Sequence, residues 1–299
     1  MTTLSSTQTP AAPLLKGEAS PTRALLKLAR RRPLGAVGAF IVLTLIVVAV
    51  LAPWIAPYDP YKINSAQLLV SPNWSYWMGT DEFGRDILSR IIWGARTSLT
   101  VGILAVGLGT TTGAALGLIS GYLGGRTDYI IQRFMDVLMA FPGLILALAM
   151  VAALGPSITN VVLALSITIV PGPSRVLRAS AMGLRELPFI DAARNLGFSN
   201  TRIVFRHILP NCVAPYIIIA TSALGGAILS EAGLSFLGLG TPPPAPSWGS
   251  MLSGAAQRSM AEAPWLAIFP GLAITIVLFG FNFLGDALRD LLDPRLRNR

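Results

Sequence analysis

Apolar residues in this chain are gathered into long blocks rather than alternating with polar ones. Six such blocks stand out, at about 34–56, 97–119, 129–154, 158–177, 211–230 and 265–284. As helices rising ~1.5 Å per residue, each is long enough to cross a hydrocarbon layer of ~30 Å. The third is interrupted by Pro142 and the fourth by Pro171 and Pro173, so both are expected to be broken helices. The pattern predicts an all-α polytopic membrane protein with six transmembrane helices. In the second block Gly109, Gly113, Gly117, Gly121 and Gly125 recur every four residues, and Ala105 extends the row. On a helix that spacing makes one shallow groove, into which a neighbouring backbone can pack. This helix is expected at the centre of the bundle.

The polar stretches between the blocks fix a direction. If residues before the first block lie in the cytoplasm, eighteen of the 23 basic residues fall on the cytoplasmic side. The other side holds Lys62, Arg85, Arg90, Arg96 and Arg258. That bias is the one membrane insertion selects. Trp54, Trp74, Trp77, Trp93, Trp248 and Trp265 all fall on the opposite, outer side, where interfacial tryptophans are expected. Within the stretch Met78–Leu99, Phe83, Ile87 and Ile91 share a helical face, which predicts an amphipathic helix on the outer membrane surface before the second block. The segment "TPPPAPSWG" cannot be helical, because Pro242, Pro243 and Pro244 remove donors and favour extended backbone. It reads as a rigid outer lip near a pathway mouth or the docking site of a binding protein, or as a stiff connector.

Composition agrees: 53% of residues are hydrophobic and 12% charged, against roughly 25% charged in soluble domains. The net charge of +9 belongs to the loops around apolar segments, so it speaks for membrane lipid and topology and against nucleic acid. One cysteine, Cys212, excludes an internal disulfide framework and reads as a small buried apolar residue. The polar, basic start is followed by an apolar run too long for a cleavable signal. Catalysis finds no support. One histidine cannot build a histidine metal site, and Asp81, Glu82 and Asp86 alternate with Arg85 and Arg90, a pattern of ion pairs along a solvated helix. Lys16, Lys27 and Lys62 precede Gly17, Leu28 and Ile63, so no lysine has the Ser or Thr that a phosphate-binding loop requires after it. No cofactor or metal is expected, and any ATP hydrolysis must occur in another chain. The spans hold few carboxylates, Asp136 and Glu231 lying toward span ends, which weakens an ion-coupled carrier.

One polar stretch is unlike the others. "DAARNLGFSNTRIVFRHILPN", Asp191–Asn211, is predicted to be a helix–glycine–helix hairpin. Pro188 suits a first helical position; Phe189, Ala192, Ala193 and Leu196 then follow i, i+3, i+4, i+7 along one face. Gly197 ends the helix in a left-handed conformation, and Ser199 or Asn200 caps a second, with Ile203, Val204, His207 and Ile208 on one face. Helices this short need a surface on which to bury an apolar side, and the two alanines allow close approach. Either a partner's groove or an anionic lipid surface would serve.

The same stretch resembles the coupling motif of ABC importer permeases, matching it at Ala192, Ala193, Gly197, Leu209 and Pro210, with Asp191 where the motif has Glu. "MGTDEFGRDILSRIIWGARTSL", "LSFLGLGTPPPAPSWGSML" and "NFLGDALRDLLDPRLR" resemble the C-type permease subunit of oligopeptide and dipeptide importers. The resemblance implies the type I permease fold, a five-span core plus one N-terminal span. It implies contact with a cytoplasmic ATPase through Asp191, Ala192, Ala193, Arg194, Leu196 and Gly197. Gly109, Gly113, Gly117 and Gly121 would pack the helices. The expected organisation is a disordered cytoplasmic tail (1–22), an N-terminal region with the first transmembrane helix (23–57), an outer loop with an amphipathic helix (58–96), a permease core (97–290) holding the coupling hairpin (188–209), and a second cytoplasmic tail (291–299). Expected partners are a second, homologous permease forming a heterodimer, two ATP-binding subunits and an extracytoplasmic substrate-binding protein. The place would be a bacterial inner membrane, with both termini in the cytoplasm. Peptides are the implied cargo, with nickel chelates, glutathione or opines as alternatives within the family. An ATP-independent channel or secondary carrier is the alternative outside it.

Overall fold

The computed structural model describes residues 33–254 and 261–292 of the 299. The expected tail 1–22 and residues 293–299 of the other tail lie outside the described residues. Regular structure among those described is helical, apart from an isolated bridge between Thr80 and Asp86. In chain order the helices are α1 (Pro33–Ile55), α2 (Ile87–Leu123), α3 (Gly125–Met139), α4 (Gly143–Leu154), α5 (Ile158–Ile169) and α6 (Pro171–Arg185). There follow α7 (Pro188–Asn195), α8 (Asn200–Ile203), a π-helical turn (Val204–Ile208), α9 (Leu209–Asn211), α10 (Val213–Phe236), α11 (Trp248–Met251) and α12 (Trp265–Leu292). Five units are long and apolar enough to cross a membrane: α1, α2, the run Ile158–Arg185, α10 and α12. The pair α3 and α4 passes the same test only jointly, with a bend of 87° between them.

The two proline interruptions have different outcomes. At Pro142 the break is real, and α3 and α4 diverge around it. Between α5 and α6 the chain stays one 28-residue span, because Val170 keeps helical angles (φ −44°, ψ −46°) and Pro171 and Pro173 sit in the first turn of α6. A proline there loses a donor without turning the axis.

The amphipathic surface helix expected over Met78–Leu99 does not form as such. Residues up to Asp86 are a loop in which Gly79 and Gly84 take positive φ. Asp81 organises the turn, accepting from Phe83 N and Arg85 N at 2.9 Å each and pairing with Arg85 Nε at 2.7 Å. Asp86 then caps α2 by accepting from Ser89 N at 2.8 Å. From Ile87 onward the helix is continuous with the span and runs 37 residues. Its polar start is tolerated because it is buried in protein: Arg90 donates to the Pro60 carbonyl at 3.0 Å and stands 3.6 Å from Asp81. The acidic residues of this region thus work as loop braces and a cap.

The glycine row forms the centre. Gly109, Gly113, Gly117 and Gly121 bring α2 against the backbone of the α5–α6 span. A Cβ at Gly109 would stand 2.6 Å from the Ser166 carbonyl and one at Gly121 2.5 Å from the Arg178 carbonyl; at Gly113 and Gly117 it would meet the carbonyls of Val170 and Ser174. Gly125 falls outside the row, since α2 ends at Leu123 and Gly125, at φ +54°, opens α3. A second close pair, Gly38 and Gly280, seats α1 on α12.

Trp248 corrects another expectation. Rather than anchoring at the membrane interface, it is buried to 2% exposure in a core with Ala95, Leu99, Ile228 and Ala232, and its Nε1 donates to the Ile91 carbonyl at 3.0 Å. Trp54, Trp74 and Trp77 are exposed. Beside Trp248, Glu231 is fully buried and accepts from Ser98 Oγ at 2.9 Å and Ser235 Oγ at 2.7 Å, tying α10 to α2. Ser235 Oγ in turn accepts from Thr241 N at 3.2 Å, holding the proline-rich segment. Replacing Glu231 by Ala strands these hydroxyls and is expected to cost about 1–3 kcal/mol, with Glu231→Gln costing less because its carbonyl still accepts. Thermal unfolding of the two variants in detergent checks the order.

Candidate functional site

The hairpin from Pro188 to Asn211 is built as the local sequence dictates. Pro188 occupies the first position of α7. At its end Gly197 takes φ +77°, Phe198 N donates to the Ala193 carbonyl (3.1 Å) and Gly197 N to the Arg194 carbonyl (2.9 Å). This pair of bonds is the Schellman closure, which a left-handed glycine makes possible. Ser199 caps α8, its side chain accepting from Arg202 N. The second arm then widens into the π-helical turn before Pro210.

One side of this hairpin is fixed to the bundle. Ile190, Ala193, Ile203, Ile208 and Cys212 are buried against Ala114, Leu118 and Tyr122 of α2 and Leu177 and Ala181 of α6. Tyr122 Oη donates to Asn200 Oδ1 at 2.8 Å, and the Arg194 guanidinium lies 5.8 Å from the Tyr122 ring centroid. Arg202 covers the Phe198 ring at 4.0 Å, and His207 stacks on Phe198 with its centroid 6.0 Å away. The hairpin therefore sits on the ends of α2 and α6, the two spans whose backbones the glycine row presses together.

The other side is open. On α7 and its C-cap the residues Phe189, Ala192 and Leu196, at i, i+3 and i+7, are all exposed, Leu196 to 73%. They form an apolar ridge with a small residue at its middle. Asp191 and Arg194 lie on the far side of the helix as an exposed pair 3.0 Å apart. Ala193, expected on the open face, is turned inward at 4% exposure and packs with Ile190. The reason is angular: Ile190 and Ala193 lie on one edge of the apolar sector and Phe189, Ala192 and Leu196 on the other, so α7 divides its apolar surface between its own protein and the outside. Ile190, Tyr122 and Asn200 are the anchors that periodicity alone did not single out; only the placement of α2 beneath the hairpin reveals them.

Cys212, one residue before the span of α10, is fully buried, which pushes its thiol up to about 11. The thiol therefore stays protonated at neutral pH. N-ethylmaleimide is expected to leave the folded protein unlabelled and to label it fully after SDS denaturation, read by mass spectrometry. Among the described residues no group of three or more His, Cys, Asp or Glu side chains is placed to hold a metal ion.

A buried anchor, an exposed ridge and a bundle of apolar spans describe a membrane protein with a handle. Comparison with known proteins gives the family. Residues 113–298 match the model of the binding-protein-dependent transport system inner membrane component, and residues 20–72 match that of the N-terminal TM domain of oligopeptide transport permease C. The chain belongs to the family of binding-protein-dependent transport inner membrane components. Among relatives of this permease, the dipeptide transport system permease protein DppC of Alkalihalophilus pseudofirmus is 45% identical over 93% of this chain and 91% of that protein. A putative peptide transport system permease protein of Brucella suis is 44% identical over 91% and 90%. The glutathione transport system permease protein GsiD of Escherichia coli is 44% identical over 90% and 88%. The solved structure of the MetNI methionine ABC transporter in inward-facing conformations has a chain that matches 68% of this permease and 96% of itself, with a TM-score of 0.55 at 17% identity. That likeness establishes the ABC importer permease fold.

Proposed function

We propose that this permease forms half of the translocation path of an ATP-driven importer for peptides, and that the 188–209 hairpin couples it to a cytoplasmic ATP-binding subunit. The single observation that carries this reading is the divided surface of α7: one edge is buried on α2 and α6, the other is bare, apolar and small in the middle. A helix presenting such a ridge suits insertion into a groove. Its seat on two spans that move together gives a docked partner a lever on the membrane domain. Asp191, Arg194 and Gly197 support the ridge: the first two pair on the side of the helix away from it, and the third sets the turn.

Hydrolysis then belongs to the partner, and this chain is no enzyme. A second, homologous permease completes the path, a binding protein delivers cargo on the outer side, and the hairpin and both termini face the cytoplasm. ATP binding to two such subunits would draw the hairpins together and rotate the α2–α6 pairs, exchanging inward-open and outward-open states. The peptide reading leans on relatives named for transport of dipeptides and of glutathione, both small peptides, which are 45% and 44% identical to this chain. Proteoliposomes holding the permease pair, with and without the ATP-binding subunits, test the reading against a labelled peptide panel. ATP-dependent uptake that requires those subunits is expected. Uptake by the permeases alone, unchanged by ATP, identifies a channel or carrier instead.

A further inference from the structure

The apolar ridge on α7 has a support that lies outside α7. His207 belongs to the second arm of the hairpin, yet its ring meets two aromatic rings that come before that arm. It stacks on Phe198, with centroids 6.0 Å apart and planes at 18°, and stands tilted beside Phe189 at 6.4 Å and 54°. Both separations lie within the range over which aromatic rings attract. Phe198 directly follows the turn glycine, and its N–H closes the turn onto the Ala193 carbonyl. Phe189 is the first residue of the ridge and is 43% exposed, so much of its ring is covered by its own chain. One imidazole therefore touches both the closure of the turn and the ridge that the turn orients.

The π-helical turn explains how the second arm reaches this far. It is closed by Leu209 N donating to the Val204 carbonyl, an i→i+5 bond. In a plain α-helix residues five apart point about 140° away from each other. A turn widened to i→i+5 brings them round toward one side. Arg202 and His207 are five apart, and both reach Phe198, the Arg202 guanidinium at 4.0 Å from the ring centroid. Asn211 Nδ2 donates to the His207 carbonyl at 2.7 Å and steadies the far end of the turn. His207 Nε2 is buried and meets no hydrogen-bonding partner among the described residues, so the contacts of this ring are those of its shape and its faces.

We infer that His207 is a positioning residue for the coupling ridge, holding Phe189 in its docking orientation by packing on Phe189 and Phe198 together. The inference rests on the coupling reading above. It gives the second arm a role that the ridge residues themselves do not show. His207 precedes the first residue of α10 by six positions, so the ridge is tied to that span as well as to α2 and α6.

A double-mutant cycle tests the assignment. The permease pair is placed in nanodiscs and titrated with the purified ATP-binding subunits, and the dissociation constant is read for His207→Ala, Phe189→Ala and the double variant. Each single change is expected to weaken association about two- to tenfold, the range of lost aromatic pairs. The double variant is expected to be no weaker than Phe189→Ala alone, because His207 acts through Phe189. His207→Phe, which keeps a flat ring, is expected to bind within about twofold of the parent. A merely structural role for His207 would give additive losses and an Ala variant with reduced thermal stability but normal affinity. Arg202→Gln provides a second approach should His207→Ala fail to insert: Arg202 is exposed, and loss of its cover over Phe198 is expected to weaken association in the same sense. Additive losses, an Arg202→Gln or His207→Ala variant that binds like the parent, or a Phe variant as weak as the Ala variant overturn the inference while leaving the coupling reading intact. A parent pair that binds no such subunit defeats the coupling reading and this inference with it.

Discussion

Gly117→Val is expected to remove the folded permease from the membrane, whereas Gly107→Ala ten residues earlier on the same helix should be harmless. Both glycines lie within α2 at ordinary helical angles, so conformational freedom does not separate them. Space does. A Cβ at Gly117 would run into the carbonyl and carbonyl carbon of Ser174, backbone atoms of a rigid neighbouring span, and no side-chain rotation relieves that contact. At Gly107 a Cβ would meet nothing within 4 Å. Overpacking a tight interior costs ~1–3 kcal/mol, and more where backbone opposes backbone. Removing a mid-helix glycine from an open site is worth up to ~1 kcal/mol in the other direction. Membrane yield and thermal unfolding in detergent should therefore move in opposite senses for the two variants. Equal loss in both would show that the α2–α6 groove does not hold the bundle together.

Gly197→Val is expected to uncouple transport from ATP while leaving the spans inserted. Here space is ample, since a Cβ would meet nothing within 4 Å, and the constraint is conformational: φ is +77°. A left-handed residue other than glycine costs roughly 1–2 kcal/mol, and a branched side chain suffers most. That is enough to open the Schellman closure and swing the ridge of Phe189, Ala192 and Leu196 away from its mounting. Gly197→Asn, which tolerates the left-handed region, should retain coupling. Co-purification of the ATP-binding subunit and ATP-driven uptake should both fall in the Val variant and survive in the Asn variant. A Val variant that keeps both would remove Gly197 from the coupling geometry.

Much of this architecture was legible in the chain because apolar blocks and glycine spacing are local signals. The six blocks are helices, the glycine row packs as its period requires, and the hairpin caps fall at Pro188, Gly197 and Ser199. What could not be read depends on partners distant in sequence. The start of α2 looked like a surface helix because Phe83, Ile87 and Ile91 share one helical face, yet Asp81, Pro60 and Trp248 bury two of its turns in protein. Trp248 looked interfacial because it falls on the outer side with the other tryptophans; only the notch left by Gly94 on α2 gives it a place inside. The period of α7 marked an apolar sector correctly, but which edge faces inward depends on Tyr122 and Leu177, outside the hairpin altogether.

The central claim is that the exposed edge of α7 is covered by an ATP-binding subunit. A photo-reactive amino acid at Leu196, introduced into the complete transporter and irradiated with and without nucleotide, tests it most directly. The account predicts a cross-link from position 196 to the ATP-binding subunit, absent when the same probe replaces the buried Ile190. A probe at 196 that reaches only lipid or the permease itself, in a transporter that still hydrolyses ATP and takes up peptide, would contradict it.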